Sequence, residues 1–180
     1  MEMTENARPI RSESARFLVN GTRHGRGVVL VYPDKIASVS VLAETWGIVL
    51  GSAVAAFAYP ADKAIGVLAI MVAVWLGAML GRAVDRKIAI RTVARGPGGV
   101  AAIPLEEVIA MRADRSAGLG NFFITETLVV TTADGTEHGF RGRTAHLQAD
   151  IAGALAGLGR EVRATALGLE VTPQPAVSAS

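Results

Sequence analysis

Two apolar segments stand back to back in this chain, Thr45–Ala61 and Ala64–Gly81, with only Asp62 and Lys63 between them. At 1.5 Å per residue each runs roughly 25–27 Å as a helix, close to the thickness of a bilayer's hydrocarbon core. So short a connection forces two such helices to lie antiparallel and side by side. Ile65, Val67, Leu68, Ile70, Val72, Val74, Leu76 and Leu80 favour insertion of the second by roughly a few kcal/mol. The first holds more Ala and Gly and is expected to insert with its partner. A small soluble domain could scarcely cover two helices that are apolar on every side. The segment 42–84 is therefore expected to be a transmembrane helical hairpin, with Trp46 and Tyr59 suited to its headgroup belts.

The rest of the chain resembles a soluble sequence. Apolar residues make up 51% and charged residues 19%, and the excess of apolar groups is confined to the hairpin. A net charge of +2, without a basic face interleaved with aromatic residues, argues against a nucleic-acid partner. There is no cysteine, which excludes disulfides, thiol chemistry and cysteine-bound metals. Residues 1–14 are polar, without the apolar run of a signal peptide, and are expected to be disordered. The Pro-containing end, within 164–180, is expected to be a flexible tail.

Strand signals occupy both flanks of the hairpin. In 15–41, Asn20-Gly21 marks a turn, Arg26 to Tyr32 is a β-branched run, and Pro33-Asp34 breaks it. In 85–163, Ile88-Ala89-Ile90 reads as a short strand leading to a turn at Gly96-Pro97-Gly98-Gly99. Val100–Ile103 and Val108–Ala113 flank a helical turn, and Gly118–Asn121 reads as a loop. Ala133-Asp134-Gly135-Thr136 turns a hairpin between Ile124 and Phe140. Thr144 can cap a closing helix with Leu147, Ile151, Leu155, Leu158 and Val162 on one face.

Small residues predict how the two apolar helices meet. Gly47 and Gly51, like Gly77 and Gly81, are spaced as GxxxG, and Ala55 and Ala73 extend the ridges. In a hairpin folded about Asp62, facing residues have numbers summing to about 124. That pairs Gly47 with Gly77, Gly51 with Ala73 and Ala55 with Ala69. Packing within the hairpin is preferred, and association between protomers is the alternative. Arg82, Arg86, Lys87, Arg91 and Arg95 crowd the exit of the second helix against a single Lys63 at the tip, which predicts both termini in the cytoplasm. The first four also suit contact with anionic lipid, beside their plain role as a topology signal. Glu44 is expected at the interface, paired with Arg82.

No residue pattern points to catalysis or to a cofactor. His24, His138 and His146 lack zinc-site spacing. Glu106, Glu107 and Asp114 read as solvated carboxylates. Gly25-Arg26-Gly27 and Gly118-Leu119-Gly120 lack the strand–turn–helix context of a phosphate cradle.

Three stretches carry a family resemblance: GRGVVLVYPDKIASV (Gly25–Val39), IPLEEVIAMRA (Ile103–Ala113) and TLVVTTADGTEHGFRG (Thr127–Gly142), followed by the closing helix. Their order resembles bacterial pleckstrin-homology-like and GRAM-like domains. The resemblance implies an antiparallel, barrel-like sheet capped by a C-terminal helix, here interrupted by the hairpin. The basic inositol-phosphate motif of the eukaryotic relatives has no match here. The expected whole is a membrane α+β protein of the inner (plasma) membrane. Its expected role is a non-catalytic interaction module whose partners are the lipid bilayer and a protein or a second copy. The alternatives are an accessory subunit of a transporter or other membrane complex, and a lipid- or small-molecule-binding protein with a pocket under the closing helix.

Overall fold

Val28 to Tyr32 are apolar at five successive positions, and all five side chains are buried. A strand with one solvated face would alternate instead, so this strand must be covered on both sides. The computed structural model describes residues 8–58, 63–96, 100–117, 124–142, 144–165 and 168–172. In it Val28 to Val31 belong to β2 (Thr22–Val31), with Tyr32 just beyond its end, and β2 pairs with β1 (Arg11–Val19) and β3 (Lys35–Ser40). Helices α1 (Ala43–Ala58) and α2 (Lys63–Ala94) follow, then β4 (Val100–Pro104), a 3-10 turn at Leu105–Glu107, β5 (Val108–Ala117), β6 (Ile124–Thr132) and β7 (Glu137–Arg141). Helix α3 (Thr144–Gly157) and the short strands β8 (Val162–Thr165) and β9 (Gly168–Val171) complete the order. The strands form one antiparallel sheet in the order β4-β3-β2-β1-β7-β6-β5-β9-β8.

Alternation along β2 sends its side chains to two cores. Val29 and Val31 join Ile36, Met111, Leu128, Val130 and Phe140 beneath Leu147, Ile151 and Leu155 of α3. Because both halves of the sheet share that core, the sheet curls around α3. Val28, Leu30 and Tyr32 face the other way with Ala37 and Val39, and there they meet Ala89 of α2. The fold is thus α+β, a large antiparallel sheet with α3 on one face and the far end of α2 on part of the other.

Several boundaries differ from expectation. Strand β1 begins at Arg11, inside the segment 1–14 expected to be disordered, because Arg11 to Ser14 pair with Val31 to Val28. Ile88-Ala89-Ile90 is helical, not a strand: α2 continues to Ala94, well past the expected limit at 84. Its alternation suited a strand equally well, but the fully buried Ala89 is what packs on β2 and β3. Helix α3 stops at Gly157, with Gly159 at a φ of +74°, and Val162 opens β8 rather than extending the helix. The segment 164–180, expected to be a flexible tail, supplies β9, whose Val171 is buried in the main core. The buried Arg160 holds this end in place, donating from Nη1 to the carbonyls of Leu105 and Glu106 at 2.8 Å each and from Nε to that of Thr172. Parts of the expected tip (59–62), the turn at 97–99, the loop at 118–121 and the two chain ends lie outside the described residues. So do the side chains of Ala55 and Thr144.

The turns follow their chemistry. Asn20 and Gly21 both take positive φ, as a two-residue hairpin turn requires. At the β6–β7 turn the Asp134 carboxylate accepts from Thr132 Oγ1, Thr136 Oγ1 and Thr136 N. These bonds, the Thr132 hydroxyl first, hold its pKa at about 2 against an ordinary 3.8. Nearby, burial lowers the pKa of His138 from its ordinary 6.5. Both shifts carry the same sign, since the unfolded chain binds the proton more readily. Acid is therefore expected to weaken the hairpin in two stages, below pH 6.5 through His138 and between about pH 4 and 2 through Asp134. Melting temperatures across that range check it: Asp134→Asn flattens the lower stage and, by removing the carboxylate that holds the His138 pKa up, deepens the upper one.

Candidate functional site: the helix pair and its charged base

Helices α1 and α2 are inserted between β3 and β4, two strands hydrogen-bonded to each other from Lys35–Pro104 to Val39–Val100. The chain leaves the sheet and returns to its neighbouring strand. Along the pair, large apolar side chains point outward on every side. Trp46 is 64% exposed, Trp75 60% and Leu80 67%, and Leu50, Val54, Leu68 and Met71 are equally bare. Contiguous exposed apolar side chains of this kind mark a surface that meets a partner or a membrane. Among the described residues α2 alone is long and apolar enough to cross a membrane, over Gly66–Ala94, with a mean hydropathy of 2.1 and only 6% of its apolar window buried. Helix α1, at 16 residues, falls short of that length.

The glycines bring the two backbones together. A Cβ on Gly47 would collide with the carbonyl of Gly77, and one on Gly77 with the carbonyl of Gly47. Gly51 lies against the carbonyl of Ala73, and Gly81 against Ala43 and Glu44. The numbering of these pairs is that of the antiparallel register. The side chain of Ala55, the expected partner of Ala69, lies outside the described residues.

At the base of the pair two buried acids meet two arginines that reach in from the surface. Glu44, in the first turn of α1, accepts from Arg82 Nε at 2.9 Å through Oε1 and from Arg26 Nη2 at 2.8 Å through Oε2. Each carboxylate oxygen thus has its own guanidinium, which offsets the cost of removing the charge from water. Asp85 of α2, also buried, accepts the backbone N–H groups of Ala43 and Glu44, both at 2.8 Å. The residue before α1 is Leu42, which has no side-chain oxygen to cap the helix. Asp85 supplies that cap from another helix and meets the positive end of the helix dipole. Two acids and two arginines therefore tie β2, α1 and α2 into one joint.

The expected Glu44–Arg82 pair is present in this joint, whereas Arg26 and Asp85 had not been singled out. Asp85 caps residues about forty positions away in the chain, so no local spacing reveals it. Arg26 stood between glycines read only as a poor phosphate loop. Those glycines serve a close approach: a Cβ on Gly27 would overlap the Val39 carbonyl and lie 2.8 Å from Ser40 Cα. That approach carries β3 into α1 beside Arg26. Among the remaining basic residues, Arg86, Lys87 and Arg91 are exposed and make no ion pair among the described residues.

The space between α3 and the sheet is filled by Leu147, Ile151 and Leu155. An open groove of about 350 Å³ runs along the flank of α3 instead, past Ile10, Pro33, Gly153 and Gly157, with the Arg11–Asp150 ion pair at its rim. His24, His138 and His146 stand on β2, β7 and α3, and no cluster of three metal-binding side chains forms among the described residues. Comparison with family models, with curated proteins and with solved structures found no match to this chain.

Proposed function

We propose that this chain is a membrane-anchored interaction module without catalytic chemistry, in which the helix pair lies in the bilayer and the sheet domain is held at the cytoplasmic surface. The observation that carries the reading is the belt of bare apolar side chains around α1 and α2. A parity argument supports two crossings. Strands β3 and β4 are hydrogen-bonded neighbours and so share one side, and a chain that leaves and returns to one side crosses an even number of times. If α2 spans, α1 must carry the chain back. Helix α1, at 16 residues, spans about 24 Å at 1.5 Å per residue, somewhat under the hydrocarbon thickness of roughly 30 Å. Arg82, Arg86, Lys87, Arg91 and Arg95 at the sheet end favour the cytoplasmic side for both termini.

The joint at Glu44 and Asp85 gives such a module its use, because it fixes the angle at which the sheet meets the membrane. The curled sheet closed by α3 is in keeping with the pleckstrin-homology-like resemblance, whose membrane-tethered members look like scaffolds. Fold alone does not name the partner.

The absence of native cysteine makes topology simple to test. In right-side-out membrane vesicles a membrane-impermeant maleimide should label Lys63→Cys at once and Arg23→Cys only after lysis. Equal labelling of the two, or recovery of the chain in the soluble fraction, contradicts the anchor. Cross-linking in native membranes tests the interaction half: a discrete cross-linked partner or dimer is expected, and a solitary chain at every cross-linker dose contradicts it.

A further inference from the structure

Below the belt, the outward face of α2 mixes two kinds of side chain that neither water nor hydrocarbon would favour together. Leu80, Val84, Lys87, Ile88 and Arg91 fall at i, i+4, i+7, i+8 and i+11 and so share one face. The opposite face carries Asp85 and Ala89, both buried against α1 and the sheet. On the outward face Val84 is 48% and Ile88 42% exposed, continuing the belt about 9 Å past the level of Arg82 at 1.5 Å per residue. Lys87 and Arg91 stand among them, exposed and without an ion pair among the described residues. Asp85, the acid nearest in sequence, is on the other face and committed to the α1 backbone. Bare methyl groups beside uncompensated cations fit one neighbour, the layer where phosphates meet the first acyl carbons.

We infer that this face of α2 seats an anionic phospholipid, its phosphate shared by Lys87 and Arg91 and its glycerol and upper acyl carbons covering Val84 and Ile88. Side chains four apart on a helix lie about 5–6 Å from each other at Cβ, within reach of a single phosphate. A zwitterionic headgroup would bring its own cation toward these two, which is why the seat favours net negative charge. The inference rests on the proposed membrane anchorage.

The test uses the full chain in mild detergent with equimolar phosphatidylglycerol and phosphatidylcholine of matched acyl chains, and native mass spectrometry to count retained lipid. Preferential retention of phosphatidylglycerol is expected. Lys87→Gln with Arg91→Gln should lower that preference roughly five-fold per cation removed, while Arg16→Gln with Arg23→Gln on the sheet leaves it unchanged. Equal retention of the two lipids overturns the inference, as does an equal loss from the sheet pair. Displacement of the lipid by millimolar inorganic phosphate at constant ionic strength overturns it too, since it would mark a site for a free anion. A chain that holds in detergent but shows no lipid preference defeats this inference alone; a chain that needs no detergent defeats the anchorage as well.

Discussion

Gly77→Ile drives the two helices apart. The first added carbon would collide with the Gly47 carbonyl, and backbone cannot swing aside as a side chain does. The helices must separate by the width of a methyl group, losing the contacts of Gly51 with Ala73 and of Gly81 with Ala43 along the same seam. Overpacking of this kind costs about 3 kcal/mol, toward the upper end of what cores tolerate. Gly77→Ala meets the same carbonyl and should destabilise in the same sense, by less. Gly153→Ala is the matched control, because a Cβ there meets nothing within 4 Å. Relief of glycine's backbone freedom should then stabilise α3 by about 0.5–1 kcal/mol. Thermal unfolding in mild detergent, followed by circular dichroism, checks the pair of signs. If the seam instead served association between protomers, Gly77→Ile would change oligomer size and spare monomer stability.

Asp85→Ala unties the joint. It strips the acceptor from the N–H groups of Ala43 and Glu44, and the apolar Leu42 offers no substitute. A lost cap costs about 0.5–2 kcal/mol, and burial of the freed donors raises the total to about 2–4 kcal/mol. Asp85→Asn keeps one oxygen acceptor and should recover roughly half of that loss. The effect is local in its first consequence: hydrogen exchange should accelerate in the first turn of α1 while α3 stays protected. A uniform acceleration through the sheet would show that Asp85 acts on global stability and not as a cap.

The elements that follow from local rules were legible in the chain. The Asn20-Gly21 and Asp134-Gly135 turns are set by backbone chemistry that neighbours cannot easily override. Leu147, Ile151 and Leu155 name the buried face of α3. The Gly47–Gly77 register follows from a short connection and from spacing alone. Other features depended on what the chain meets in space. Ile88-Ala89-Ile90 has a pattern fit for a strand or a helix, and contact with β2 and β3 decides for the helix. Arg11 to Ser14 are polar yet form a strand because Val28 to Val31 need a partner. Asp85, Arg26 and Arg160 act across long stretches of chain, so their roles emerge only once the sheet closes.

Both tryptophans of the protein, Trp46 and Trp75, lie bare on the helix pair, so selectively excited tryptophan fluorescence reports on that surface alone. Quenching in liposomes is therefore the most direct trial of the helices' surroundings. Bromine carried deep on acyl chains should quench Trp75 in a Trp46→Phe variant, and bromine near the headgroups should quench Trp46 in a Trp75→Phe variant, with aqueous iodide weak against Trp75. Strong iodide quenching of Trp75, together with indifference to brominated lipid, would mean that these helices do not lie in the bilayer.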